Sequence, residues 1–99
     1  MSAYFVFVRD KMKDAAGYAA YGQKAGASFA GHAAKPLVVN GALTPVEGER
    51  PDGVVIIEFP TVEAAKAWYH SPAYQACVGE RLGATEGRAM IVEGLPAPG

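Results

Sequence analysis

The sequence predicts a small α+β domain, because segments typical of strands and helices occur in a mixed order. Four short apolar segments are rich in aromatic and β-branched residues, as strands are, at residues 3–8, 35–40, 54–59 and 89–92. Two longer segments, after Asp14 and after Thr61, carry apolar residues at helical spacing. The order β-α-β-β-α-β predicts a ferredoxin-like fold with a four-stranded antiparallel sheet. We assign residues 1–94 to one such domain and 95–99 to a flexible tail.

The first strand and the first helix follow from local patterns. Residues 3–8 read Ala-Tyr-Phe-Val-Phe-Val, so both faces of this strand are apolar. Asp14 is a suitable N-cap for the helix that follows. The helix carries an apolar stripe of Tyr18, Tyr21, Ala25, Phe29 and His32.

The middle of the chain predicts two further strands. The second strand, at residues 35–40, is followed by Asn40-Gly41, which could form a tight hairpin turn. We favour a bulge or bend there, with strand character resuming at residues 43–46. Residues 47–53 are polar and contain glycine and proline, as loops do. The third strand, at 54–59, is apolar on both faces except for Glu58.

The second helical segment is predicted to be interrupted. Thr61 caps its start, and Ser71-Pro72 places serine and proline in their favoured order for a new helix start. We therefore expect a second helix broken at Ser71-Pro72. Either Gly83 or Gly87 is expected to stop it before the last strand.

The strand pattern also predicts a partner. Two helices can cover only one face of a four-stranded sheet, and a half-exposed strand normally alternates apolar and polar residues. The first and third strands do not alternate in this way. We therefore expect a homodimer through the open sheet face, with about 800 Å² buried per subunit.

Composition excludes several classes of function. Nine basic and ten acidic residues are dispersed without a like-charged run, so we expect no nucleic acid and no membrane as partner. Cys77 is the only cysteine, and neither a signal-peptide core nor a Cys/His cluster is present. We expect a cytoplasmic location, no metal and no cofactor.

The segment from Val55 to Gln75 is distinctive. It contains Val-Ile-Ile-Glu-Phe-Pro-Thr, followed by Glu-Ala-Ala and by Ala-Trp-Tyr-His-Ser-Pro-Ala-Tyr-Gln. In these residues the chain resembles the domain of unknown function 1330 (DUF1330) family, small bacterial proteins of the dimeric α/β-barrel superfamily. The resemblance extends to Tyr18, Tyr21, Gly41, Glu47-Gly48, Arg81 and Val92-Glu93-Gly94.

The chain differs from the family at a few positions, and the resemblance does not indicate a particular function. Ala15, Ala33-Ala34 and Ala73 stand where the family commonly has proline, a glycine pair and an acidic residue, which affects the expected loop geometry but not the fold. The family implies two sheets packed face to face across a dimer. It implies no particular reaction, so whether the protein is an enzyme stays open.

Two hydrophilic features are candidates for chemistry. His32, near the C-terminal end of the first helix, could transfer protons, or it could be a surface capping residue. Glu58 interrupts an apolar strand, and Arg81 is its proposed partner. The two could form a buried structural ion pair or bind a substrate carboxylate, while Glu58 could also face solvent.

Aromatic residues complete the candidate site. Trp68, Tyr69 and Tyr21 could be walls of a pocket between helices and sheet, or simply core residues. Two hypotheses follow. In the first, the protein binds or transforms a small organic molecule, neutral or anionic, in that pocket without a cofactor, and Arg81 would hold an anionic group. In the second, it is a non-catalytic dimer without a ligand. A cavity of at least ~300 Å³ with convergent polar groups would favour the first hypothesis.

Overall fold

The computed structural model describes residues 1–96, which form a ferredoxin-like α+β fold with a four-stranded antiparallel sheet. The strand order is β2-β3-β1-β4. The elements in chain order are β1 (Ala3–Met12), α1 (Ala15–Ala27), β2 (Lys35–Val39), β3 (Gly53–Phe59), α2 (Val62–Tyr69), α3 (Pro72–Ala84) and β4 (Thr85–Glu93).

Each helix begins at the residue that the sequence indicates. The side chains of Asp14, Thr61 and Ser71 accept hydrogen bonds from the backbone N–H three residues later. Pro72 occupies the first turn of α3, where its missing N–H is not needed. The predicted break at Ser71-Pro72 is confirmed, and the fold has three helices.

Three element boundaries differ from the sequence-based expectation. β1 continues to Met12, because it pairs with β4 through a bulge between Arg9 and Lys11. Residues 43–46 are not a strand, since the chain bends at Asn40 in a left-handed conformation (φ 54°). Neither Gly83 nor Gly87 ends α3, and β4 begins directly at Thr85.

The sheet separates two kinds of side chain. Phe5, Phe7, Ile57 and Phe59 point toward the helices and are buried with Trp68 in one aromatic core. Their strand neighbours point to the opposite face, which no helix covers among residues 1–96. This open face includes Tyr4, Val6, Val8, Lys35, Val38, Val54, Ile56, Glu58, Arg88, Met90 and Val92.

The open face is mostly apolar and only partly shielded from water. Val6 lies at its centre, opposite Ile56 on one side and Met90 on the other. Met90 is 41% exposed and Val92 is 47% exposed. The homodimer expected through this face stays a prediction.

The predicted tail lies only partly within the described residues. Leu95 is 91% exposed and follows the end of β4. Residues 97–99 lie outside the described part of the chain. The assignments of residues 1–94 to one domain and 95–99 to a flexible tail stay predictions. No helix within residues 1–96 has the length and apolarity needed to cross a bilayer.

Candidate functional site

A cavity of about 350 Å³ lies between α1 and the helix-facing side of the sheet. α1 packs mainly against α3, and α2 approaches the sheet more closely than α1 does. The walls are almost entirely apolar and aromatic. They are formed by Phe5, Phe7, Tyr18, Tyr21, Gly22, Ala25, Gly26, Phe29, Pro36, Val39, Asn40, Val55, Ile57 and Trp68.

Two glycines of α1 leave space at the cavity wall. Gly22 and Gly26 are one helical turn apart and both line the cavity. A Cβ atom added at either position would meet no atom within 4 Å. Glycine in a helix interior costs about 1 kcal/mol relative to alanine. Helix propensity therefore does not favour glycine at either position, and the backbone there leaves space in which a larger side chain would stand at the cavity.

Trp68 forms part of the cavity wall and is fixed by a hydrogen bond. Its side chain is 1% exposed, and the indole Nε1–H donates to Ser28 Oγ at 2.9 Å. The Ser28 hydroxyl in turn donates to the Ala25 carbonyl oxygen. The Phe29 ring lies 5.2 Å from the Trp68 ring, centroid to centroid. These contacts connect the C-terminal end of α1 to α2 beside the cavity.

Tyr21 brings a polar group to the cavity wall. Its hydroxyl oxygen lies 2.7 Å from the hydroxyl oxygen of Tyr74, which is 0% exposed. Arg81 Nη1 donates to the same Tyr74 oxygen at 3.1 Å. Burial raises the pKa of Tyr21, although the Tyr74 hydrogen bond opposes that shift. Burial also raises the pKa of Tyr74, so both phenols are neutral at neutral pH.

Arg81 is a buried cation with few partners. It is 4% exposed, its guanidinium carbon lies 4.6 Å from the centroid of the Phe7 ring, and its Nε has no hydrogen-bond partner. Within residues 1–96, no carboxylate forms an ion pair with it. The positive charge beside Tyr74 is therefore not neutralised by a carboxylate of the described residues.

A second polar cluster contributes Asn40 and Tyr18 to the cavity lining. Asn40 lines the cavity, accepts a hydrogen bond from Arg9 Nη1 at 2.8 Å, and donates to the Tyr18 hydroxyl at 3.4 Å. Arg9 also binds Asp52 through its Nε at 3.2 Å and lies over the Tyr18 ring. Gly53 leaves room for this arrangement, because a Cβ there would collide with the Arg9 guanidinium. This cluster fixes Asn40 at the rim.

The structure places only some of the predicted site residues at the cavity. Tyr21 and Trp68 line it. Tyr69 does not, and it packs on the opposite side of Trp68, with its ring 5.9 Å from that of Phe5. Arg81 does not line it either; it contacts the lining residue Phe7 and is linked by hydrogen bonds through Tyr74 to Tyr21.

The predicted pairing of Glu58 with Arg81 is wrong. Glu58 belongs to the open face of the sheet, where Tyr4 donates to its carboxylate at 3.4 Å. Arg81 lies on the helix side, against Phe7. The alternation of side chains along β3 puts Glu58 on the same face as Ile56, and the sheet separates it from Arg81.

His32 does not form part of the cavity wall. It lies beyond the C-terminal end of α1, half-buried, and its backbone N–H donates to the Phe29 carbonyl oxygen at 2.9 Å. It is not among the cavity-lining residues. Within residues 1–96, no three His, Cys, Asp or Glu side chains come together where they could hold a metal ion.

The sequence reasoning missed several residues that shape the cavity. Asn40 was read only as a turn residue, yet its left-handed conformation turns its side chain toward Arg9 and Tyr18. The signal available in the sequence was the Asn-Gly dipeptide itself, since asparagine tolerates positive φ. Gly22 and Gly26 carried a second signal, because their four-residue spacing places both on one helix face.

The fold and the cavity define a class of protein, a small ferredoxin-like α+β protein with an aromatic cavity between its first helix and the sheet. The family model for the domain of unknown function DUF1330 matches residues 2–95, so the chain belongs to that family. No curated protein matches the sequence.

Solved structures with the same fold come from a protein of unknown function. The RPA0582 protein from Rhodopseudomonas palustris has a TM-score of 0.75 and 24% identity, with 96% of this chain and 83% of that chain covered. The methylated RPA0582 protein has a TM-score of 0.72 and 23% identity, with 97% and 82% covered. At these identities the likeness supports the fold alone.

Proposed function

We propose that this protein binds a small, largely apolar organic molecule in the cavity between α1 and the sheet. The observation that carries the proposal is the cavity itself. Its volume of about 350 Å³ lies in the range of small-molecule sites, and Tyr21, Tyr18 and Asn40 place polar groups on an otherwise apolar wall. No cofactor is part of the proposal, and it does not include a reaction.

The composition of the wall decides what kind of molecule fits. Aromatic rings from Phe5, Phe29 and Trp68 offer flat apolar surfaces, which favour a ring compound over a flexible polar metabolite. Arg81 was expected to hold an anionic group of the substrate, but it does not line the cavity, so direct contact between Arg81 and the ligand is not part of the proposal. The alternative is a non-catalytic dimer in which the cavity holds no specific ligand.

A thermal-shift screen tests the proposal with a variant that fills the cavity. Aromatic and alicyclic compounds, both neutral and anionic, are screened against the wild type, Gly26→Leu and Gly79→Leu. Gly26 lines the cavity, while Gly79 is an exposed glycine of α3 whose Cβ would also meet no atom within 4 Å. The two variants therefore make the same helix change, but only Gly26→Leu places a side chain at the cavity.

The expected result is a set of compounds that raise the melting temperature of the wild type and of Gly79→Leu. The same compounds should have little effect on Gly26→Leu. If no compound stabilises the wild type, or if Gly26→Leu responds as the wild type does, the binding proposal fails. The non-catalytic dimer would then be the better description.

We also propose that the protein is a homodimer formed through the open face. Val6, Ile56 and Met90 form an apolar surface at the centre of the sheet, and burying such a surface is favourable. A two-fold axis through the middle of the sheet would place these residues against their copies, as closed dimers require. We also propose a cytoplasmic location for the protein, as expected from the sequence.

A further inference from the structure

The hydrogen bonds behind the cavity wall have a defined direction. Arg81 Nη1 can only donate, so the Tyr74 oxygen accepts its hydrogen bond. Tyr74 has one hydroxyl hydrogen, and within residues 1–96 its hydroxyl forms hydrogen bonds only with Arg81 and Tyr21. If Tyr21 donated to Tyr74, the Tyr74 hydrogen would be buried without an acceptor, because Tyr74 is 0% exposed. Leaving a buried donor unpaired is costly. In the reverse order the free hydrogen belongs to Tyr21, which is 8% exposed and lines the cavity.

The favoured order is therefore Arg81 to Tyr74 to Tyr21. Tyr74 donates to the Tyr21 oxygen, and the hydroxyl hydrogen of Tyr21 is left without an acceptor from residues 1–96. Tyr21 lines the cavity, so an occupant of the cavity can provide that acceptor. A tyrosine hydroxyl held in this way is a directed hydrogen-bond donor.

The buried charge of Arg81 strengthens the same donor. Its guanidinium is 4% exposed, forms no ion pair with a described carboxylate, and leaves Nε unpartnered. A cation that is buried in this way makes the local electrostatic potential positive. Arg81 polarises the hydroxyl of Tyr74, and Tyr74 in turn polarises the hydroxyl of Tyr21. The Tyr21 O–H therefore becomes a better hydrogen-bond donor.

We propose that the ligand of this cavity is a ring compound bearing an acceptor oxygen, held by a hydrogen bond from Tyr21. Arg81 and Tyr74 are positioning residues, because they fix the direction and strength of that bond without contacting the ligand. This inference rests on the proposed function, since it requires that the cavity binds a small molecule. A carbonyl oxygen and a carboxylate oxygen share the required chemistry.

Three compounds of nearly the same shape test the inference. Acetophenone carries a neutral carbonyl, benzoate carries an anionic one, and α-methylstyrene replaces the oxygen by a methylene group. Binding is followed by the NMR signal of the single indole N–H, which belongs to Trp68 at the cavity wall. The proteins are the wild type, Tyr21→Phe, Arg81→Met and Arg81→Lys.

We expect the wild type to prefer at least one oxygen compound over α-methylstyrene by about tenfold, the effect of one net hydrogen bond. Tyr21→Phe should reverse this order, because a buried carbonyl without a donor loses its hydration. Arg81→Met should reduce the preference, and Arg81→Lys should restore part of it through a new N–H donor to Tyr74. A purely structural role of Arg81 would change all three affinities together.

The outcomes separate this inference from the proposed function. If the three compounds bind the wild type equally well, the cavity binds ligands but the acceptor-oxygen inference is wrong. The inference is equally wrong if Tyr21→Phe keeps the preference for oxygen. If none of the three binds and the wider screen also yields no ligand, both proposals fail. Comparison of acetophenone with benzoate decides whether the oxygen is neutral or anionic.

Discussion

The indole N–H of Trp68 donates to the hydroxyl oxygen of Ser28 at 2.9 Å, which joins α2 to the residue that ends α1. Both side chains are almost fully buried, with Trp68 at 1% and Ser28 at 2% exposure. The bond holds one wall of the cavity at a fixed distance from the end of α1. The contribution of this hydrogen bond to stability can be tested by mutation of Ser28.

Replacing Ser28 by alanine should destabilise the protein by about 1–3 kcal/mol, because the indole N–H would be buried without an acceptor. Urea unfolding followed by circular dichroism measures the loss. The same substitution in a Trp68→Phe background should cost much less, since no indole remains to be satisfied. Equal costs in the two backgrounds would contradict the proposed role of this bond.

The tyrosine pair predicts a loss of stability at alkaline pH. Burial raises the pKa of Tyr21 and of Tyr74 above the ordinary value of 10.0. Above that pH the unfolded chain releases phenolic protons that the folded chain retains, so unfolding becomes easier as pH rises. Below it both states are protonated, and the two phenols give no pH dependence. The limiting slope is about 1.4 kcal/mol per pH unit for each group.

Urea unfolding at a series of pH values measures this slope. The double variant Tyr21→Phe/Tyr74→Phe should be less stable than the wild type at neutral pH, because Arg81 loses its oxygen acceptor. Its stability should nevertheless decline less steeply above the ordinary phenol pKa. A decline as steep as that of the wild type would show that the buried phenols are not responsible.

Gly87 predicts a strong effect of backbone crowding. It lies opposite Arg9 beside the bulge of β1, and a Cβ there would collide with the Val8 carbonyl oxygen and approach the Phe7 ring to 3.0 Å. Gly87→Ala should therefore cost about 1–3 kcal/mol. Gly83→Ala is the matched control, because its Cβ would meet no atom within 4 Å and alanine favours the helix. Equal melting temperatures for the two variants would contradict the crowding argument.

The open face predicts the oligomeric state. Light scattering at micromolar concentration should give twice the monomer mass of 10.3 kDa for the wild type. Val6→Glu should give the monomer mass, because a carboxylate at the centre of the interface would be buried without a partner. Gln23→Glu adds the same charge at an exposed position of α1 and should remain dimeric. A monomeric wild type would contradict the dimer proposal.

Local sequence patterns predicted the element order and the helix starts. Asp14, Thr61 and Ser71 each combine a capping side chain with a following helical pattern, and all three caps are formed. The end of α3 was less predictable. Gly87 looked like a helix stop, but it is needed for close approach to the Val8 backbone, a contact that depends on the pairing of β1 with β4.

The candidate site was harder to predict than the fold. Tyr21 and Trp68 lie on apolar helix faces, so helical spacing was enough to place them near the sheet. The proposed pairing of Glu58 with Arg81 failed because alternation with Ile57 and Phe59 puts Glu58 on the open face, whereas the alternative that Glu58 points away from the helices agrees with the structure. Arg81 and Tyr74 lie seven residues apart on α3, but the contact of Tyr74 with Tyr21 joins groups 53 residues apart, so no local pattern contains the whole link.

The measurement that tests the cavity proposal most directly is the set of intermolecular nuclear Overhauser effects from the tightest compound of the screen. We predict contacts from the bound compound to the ring protons of Trp68 and Phe29, which line the cavity. Contacts to Val6 and Met90 on the open face, with none to Trp68 or Phe29, would contradict it.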